Sequence, residues 1–197
     1  AGGLLGYLKV TQVGNMPRLS PLITVNDNSF MEIDSATRRS LELSRTLIGE
    51  RRGSLLHAVD RTLTAAGGRL LGERLAAPLY NVAAIEARLD LVSWFIADTA
   101  CCDAVRVQFG IQPDIERALS RLSLGHGGPR DLAAIANSLI GANQIVSTIE
   151  DVASKEFFNV EMPQSLPTYL ETILRPKSLV DVLSPALADE LPLLARD

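Results

Sequence analysis

The stretch Ala66-Gly67-Gly68-Arg69-Leu70-Leu71-Gly72-Glu73-Arg74 decides how this chain is read. Gly67 and Gly72 have the separation of the glycines in a phosphate-binding G-x-x-x-x-G-K-[ST] loop, but Glu73-Arg74 stands in place of Lys-Ser or Lys-Thr. In such a loop the lysine reaches the β- and γ-phosphates and the hydroxyl holds Mg²⁺. Glu73 would set a negative charge against the phosphates, and Arg74 offers no hydroxyl. The preceding SLLHAVDRTLT (residues 54–64) also lacks the period-2 pattern of a strand. The glycines therefore read as packing residues in a helical pass over residues 62–79. Leu70, Leu71 and Leu75 form its apolar face, Ala65 to Gly68 admit a neighbouring helix, and Pro78 stops it. Glycine inside a helix costs about 1 kcal/mol against alanine, so such a packing reason is required.

Helical signals continue on both sides. GLLGYLKVTQV (residues 3–13) reads as the end of a helix, and GNMPRLSPL (residues 14–22) as a linker broken by glycine and proline. A short strand is expected over residues 30–33. Asp34 or Ser35 can cap a helix through ATRRSLELSRTLIG that stops at Gly49, and Ser54 a second one carrying Leu55, Leu56, Val59 and Leu63. Asn81 caps a longer helix on which Ile85, Leu89, Val92 and Ile96 form one apolar stripe. PDIERALSRLSLG makes a short helix ending at GHGGPR. Pro129 suits the first turn of the next, whose stripe is Ile135, Leu139, Ala142, Val146 and Ile149. Beyond Asp151, five prolines mark short helices, with Ser178-x-x-Asp181 as a capping box and Ser184-Pro185 as a helix start. The fold class is mainly α, with eight or so helices and at most one or two short strands.

Composition agrees with packed helices: 47% hydrophobic residues, 21% charged and only 5% aromatic in 197 residues. Residues 1–150 hold 15 Lys or Arg and 15 Asp or Glu, so the net charge of −4 comes from the remainder. No domain-wide basic field draws a nucleic acid backbone. Cys101 and Cys102 are adjacent and show no CxxC spacing, which suits a reducing compartment, and His57 and His126 lie too far apart to suggest zinc. No run of about 18 apolar residues and no signal peptide is present. Beginning without Met and ending at Leu194-Ala195-Arg196-Asp197, the chain reads as a piece of something longer.

Charged residues favour structural duties over chemistry. Arg51-Arg52, with Arg38, Arg39 and Arg45, could touch phosphates, but interleaved Glu42 and Glu50 suggest a solvated helix face with pairs about four apart. Asp114 and Glu116, two apart, face differently on a helix and read as first-turn acids. Arg117, Arg121 and Arg130 with Asp131 read as inter-helix ion pairs, His57 as a helix residue, and Trp94-Phe95 as core. No catalytic, cofactor-binding or metal-binding residue is therefore expected in this chain.

Several stretches together resemble the MutS family of DNA mismatch-repair proteins. MEIDSATRRSLEL (residues 31–43) resembles the entry to that family's core domain, and LLHAVDRTLTAAGGRLLGERLAAPL (residues 55–79) its next segment. IEARLDLV, PDIERALSRL and PRDLAAIANSL continue the series in order, over more than a hundred residues. Arg74 departs from the pattern, since the family often has Trp there, and the likeness fades after about Asp151. The resemblance implies residues 1–13 as the end of a connector domain, 14–30 as a linker and 31–197 as an incomplete core, or lever, domain. It implies a mismatch-reading Phe-x-Glu domain before this chain, and a DNA clamp and an ATPase domain after it. Phe30-Met31-Glu32 matches that motif by coincidence, at the wrong place, and Phe30 is expected in the core.

The chain is then a structural transducer with no cofactor of its own, ATP and Mg²⁺ being expected in the full-length parent. Mismatched DNA and a MutL-like partner would be met through that parent, a cytoplasmic homodimer with no membrane contact. An autonomous helical DNA- or protein-binding module is the alternative. An enzyme built on the Gly67 region is the third reading.

Overall fold

The computed structural model describes residues 2–11, 30–154, 160–174 and 176–187. Among them run ten helices: α1 Gly2–Thr11, α2 Ser35–Ser40, α3 Leu55–Val59, α4 Ala65–Ala76, α5 Val82–Ala97, α6 Thr99–Ile111, α7 Ile115–Ser123, α8 Pro129–Ala153, α9 Ser165–Leu174 and α10 Lys177–Ala186. The linker over residues 14–22 lies outside the described residues. The expected strand reduces to one antiparallel bridge between Phe30 and Leu79, with the Met31 amide donating to the Pro78 carbonyl at 2.7 Å. Phe30 is 36% exposed, so it is not the core residue the sequence suggests.

Most helices begin where a short polar side chain can take the first free amides. Asp34 accepts from the amides of Ala36 and Thr37, both at 2.9 Å, and Thr64 Oγ1 from Gly67 at 3.0 Å. Asn81 Oδ1 accepts from Ala84 at 3.0 Å and Asp98 Oδ1 from Cys101 at 2.9 Å. Pro129 occupies the first turn of α8, where its missing amide costs nothing.

α8 is the hub. It packs against α6, α7, α9 and α10, while α5 packs on α6 and α9 and α3 on α4. Its length and composition alone would let it cross a membrane, but Ile135, Ile145, Val146, Ile149 and Val152 are buried within the domain. All of these but Ile135 share one core cluster with Cys101 and Val105 of α6, Leu166 and Leu170 of α9, and Trp94 of α5. Trp94 is 1% exposed and stands edge-on to Phe95, ring centroids 5.0 Å apart. Burying side chains of this size contributes roughly 1.5–3 kcal/mol each. Neither cysteine forms a disulfide.

Four sequence expectations change. The helix expected to run to Gly49 ends at Ser40, because Glu42 takes a left-handed conformation (φ 48°) that a right-handed helix cannot contain. There the Glu42 carboxylate accepts from the Leu47 amide at 2.6 Å and its carbonyl from Leu55 at 3.0 Å, tying up the loop. The helix after Ser54 closes at Val59, leaving Leu63 outside it. On α5 the stripe of Leu89, Val92 and Ile96 faces outward, since Leu91, Trp94 and Phe95 occupy the core face. Ser178, Asp181, Ser184 and Pro185 all lie inside α10, so neither the capping box nor the second helix start forms.

One glycine is met closely by a side chain. The Gln112 side chain crosses α8 at Gly141, where an added Cβ would sit 1.8 Å from Gln112 Nε2. The atoms it meets are the far end of a flexible, half-buried side chain that can turn aside, and alanine is favoured over glycine in a helix by about 1 kcal/mol, so Gly141→Ala should change stability by less than about 1 kcal/mol. Thermal unfolding checks this: Gly141→Ala should raise the melting temperature more in a Gln112→Ala chain than in the native one, and equal shifts in the two would refute the contact.

Candidate functional site

The glycines of the opening stretch lie in α4, so the amides a phosphate loop would offer are spent on helical hydrogen bonds. Their neighbour is not the helix the sequence suggests but the turn leading into α4. A Cβ on Gly67 would meet Thr64 Oγ1 at 2.9 Å and one on Gly68 would meet Thr62 Oγ1 at 3.3 Å. Only Gly72 faces another helix, with Leu56 of α3 at 3.8 Å from its would-be Cβ.

That turn opens onto a chain of three charged junctions. Asp60 Oδ1 accepts from the Thr62 amide at 2.9 Å and its hydroxyl at 2.7 Å, while Asp60 Oδ2 accepts from Arg51 at 2.6 Å. The Thr62 hydroxyl first, its amide, and the charges of Arg51 and Arg61 hold the Asp60 carboxyl below its ordinary value of 3.8. Ser54, fully buried, fixes the approach of Arg51 by donating to the Arg51 carbonyl at 2.7 Å.

The second junction joins α4 to α7. Arg69 donates to Asp114 Oδ1 at 3.1 Å and to Oδ2 at 3.3 Å, and also binds Glu116. The sequence spacing placed Asp114 and Glu116 on different faces. They converge because Asp114 is the cap of α7, with non-helical φ −79° and ψ 88°, and only Glu116 is in the helix. Arg69 ignores Glu73 four residues on, the weaker orientation for a helical pair, for partners on another helix. Its guanidinium is raised above its ordinary value by the hydrogen bonds it donates to Asp114 and Glu116, and Asp114 is lowered, first by Arg69 and then by the Arg117 amide.

The third junction joins α7 to α8. Arg121 Nε lies 3.2 Å from the Asp131 carboxylate, which also accepts the Gly128 amide at 2.9 Å. Asp131 is lowered, chiefly by that amide and then by Arg121. The expected pair of Arg121 with Asp131 forms; Arg117 acts through its charge on Asp114 and Asp131. Arg106 of α6 reaches back to the Arg61 carbonyl at 3.2 Å, closing the network on the α3–α4 turn.

The upstream arginines do not form the expected pairs four apart. Arg38 donates to the Ile33 carbonyl at 3.0 Å and Arg45 to the Gly49 carbonyl at 2.9 Å, and Arg51 is taken by Asp60. His57 stands on α3 with its amide donating to Ser54 Oγ at 3.2 Å, as part of the start of that helix. Among the described residues no group of three or more His, Cys, Asp or Glu converges to hold a metal. Sequence reading missed Arg69 as a bridge, because nothing local marks a partner 45 residues away.

Residues 36–197 match the family model of MutS domain III. The whole chain is 46% identical to the DNA mismatch repair protein MutS of Nitrobacter hamburgensis, 47% to that of Rhodopseudomonas palustris and 45% to that of Roseobacter denitrificans. In each case the match takes in all of this chain but 21% of the relative, so the chain spans about a fifth of such a protein.

The junction carboxylates set an acid limit. Asp34, Asp60, Asp114 and Asp131 all titrate below 3.8 in the folded chain, so the stability they contribute is fully present above that value. It is lost as pH falls through it toward their folded values. Melting temperature measured against pH should stay flat on account of these groups from pH 8 to about 5 and fall steeply below about 4. Asp114→Asn should make the acid fall shallower; an unaltered slope would mean the Arg69 junction is idle.

Proposed function

The chain belongs to the MutS family as a piece of its domain III, and on that footing we propose that it is a lever inside a mismatch-repair protein. It would carry conformational change between a mismatch-reading end and an ATPase end that lie outside these residues. The observation that supports this reading most directly is the bridge from Arg69 on α4 to both Asp114 and Glu116 at the start of α7. Arg121 passes the linkage on to Asp131 at the start of α8. Each connection fixes the end of one helix to another, so a rotation of α4 is felt by α7 and then by α8 as packed units. Half-exposed ion pairs of this kind can re-form in a second arrangement more readily than a packed apolar core can.

In this reading the chain contributes no catalytic group. ATP and Mg²⁺ belong to the parent, which would act as a cytoplasmic homodimer on mismatched DNA with a MutL-like partner. Arg45, Arg51 and Arg69 are each engaged by a carbonyl or a carboxylate, which holds those three guanidinium groups away from a phosphate backbone.

The isolated chain should therefore turn over no ATP and bind mismatched and matched duplex equally; a clear mismatch preference at moderate salt would sink the lever reading in favour of an autonomous binding module. In the full-length protein, Arg69→Ala should leave heteroduplex affinity and basal ATP turnover near normal. The change in nucleotide turnover that a mismatch induces should fall by about fivefold. A variant that responds to the mismatch like the native protein would rule out transmission through this junction.

A further inference from the structure

The loop after α2 folds back on its own helix. α2 carries Arg38 and Arg39 in its last turn, and the left-handed backbone of Glu42 (φ 48°) reverses the chain. The Glu42 amide donates to the Arg39 carbonyl at 3.1 Å and the Leu43 amide to that of Arg38 at 3.4 Å. A second turn closes where the Gly49 amide donates to the Thr46 carbonyl at 2.9 Å, with Gly49 at φ 89°. Residues of the helix and of the returning loop together line a surface pocket of about 530 Å³. Arg38, Arg39 and Arg45 contribute three guanidinium groups to it, Ser44 a hydroxyl, and Leu47 and Ile48 an apolar stretch of wall. No carboxylate lines it among the described residues. Glu42, the one acid within residues 41–49, spends its carboxylate on the Leu47 amide at 2.6 Å. The ion pairs of the described residues, at Arg51, Arg69 and Arg121, all form elsewhere.

A cleft lined by one sign of charge focuses its field and concentrates the opposite ion. Arg38 donates to the Ile33 carbonyl and Arg45 to the Gly49 carbonyl, each through one nitrogen, so both keep further N–H donors at fixed positions. The bond that withdraws Arg45 from a duplex surface therefore leaves it able to grip a small anion inside the pocket. We propose that the pocket binds a small organic phosphate monoester, its phosphate held by Arg38, Arg39 and Arg45 and its apolar body against Leu47 and Ile48. A monoester carries between about −1.5 and −2 near neutral pH, and its three oxygens match the forked donors of arginine. A nucleic acid phosphodiester brings only one charge per phosphate. Leu47 and Ile48 are 58% and 86% exposed, and a sugar–phosphate backbone leaves such apolar surface uncovered where an organic body does not. The volume of the pocket falls in the range of roughly 300–1,000 Å³ that ligands of this kind occupy.

Arginine modification by phenylglyoxal, read residue by residue by mass spectrometry, tests this with phenyl phosphate as the probe. It is run on the 197-residue chain and on the full-length protein, with Arg74, exposed and outside the pocket, as the reference. Phenyl phosphate should slow modification of Arg39 and Arg45 saturably and by at least about fivefold, and leave Arg74 unaffected. It should do so at about a fivefold lower concentration than inorganic phosphate, because its ring covers Leu47 and Ile48. Ile48→Ser should abolish that difference between the two probes. Arg39→Gln should raise the phenyl phosphate concentration that protects Arg45 by at least about tenfold. Both changes fall on exposed side chains, so the fold is retained. Equal slowing at Arg74 would overturn the proposal, since that is general screening of charge. So would the absence of protection, or an Arg39 that does not label in the full-length protein, where the pocket would then be closed. Protection by matched duplex DNA at a lower phosphate concentration than phenyl phosphate would assign the pocket to nucleic acid and overturn the small-ligand reading. None of these rates depends on whether the junctions transmit motion, so this inference and the lever reading can fail separately.

Discussion

α8 has neighbours on several sides, and the positions of α6, α7, α9 and α10 follow from the need to cover it. A helix of 25 residues with so few charges cannot stay in water alone. Its buried side chains therefore fix where the shorter helices lie. Apolar contact is non-directional, however, and settles neither how far each helix slides nor how it turns. Direction comes from the helix starts. Asp98 stops α6 from beginning earlier, Asp114 does the same for α7, and Asp131 with Pro129 does so for α8. Two of those carboxylates also take an arginine from another helix, Asp114 from α4 and Asp131 from α7, so one residue both begins a helix and fixes its orientation.

This double use explains why the network lies at turns and not along helix faces. A carboxylate at a helix start sits in the positive end of the backbone dipole and gains amide hydrogen bonds before any ion pair forms. Adding a guanidinium there costs little further ordering, since the acid is already held. An arginine such as Arg69 then finds two fixed acceptors, Asp114 and Glu116, on one approach. Exposed pairs along one helix have no such preorganisation, which is why Arg38 and Arg45 bond to loop carbonyls and Arg51 to Asp60 instead.

How much of this the sequence discloses depends on the range of each cause. Asn81, Asp114 and Pro129 act within one turn, and helices begin beside all three, while Asp98 at the start of α6 is a signal of the same kind that sequence reading missed. Glu42 defeats local reading because glutamate favours helices, and its left-handed backbone is held by Leu47 and Leu55 from further along. The stripe on α5 is legible in sequence but not in its direction. Ile85, Leu89 and Val92 show the same period whether they face the core or away from it, and Trp94, larger than any of them, takes the interior. The junction at Arg69 is invisible in sequence for another reason: its partners are set by tertiary packing alone. Gly141 is likewise unreadable, since only the passage of Gln112 over α8 shows what a side chain there would meet.

The length of α8 has a geometric consequence. At 1.5 Å per residue its 25 residues extend about 37 Å. If one end is pinned and the helix tilts by about ten degrees as a unit, the other end travels about 6 Å, roughly the rise of a full helical turn. A small change of angle at Asp131 would thus arrive near Val152 as a sideways shift of several ångströms, turning an angle at one terminus into a distance at the other.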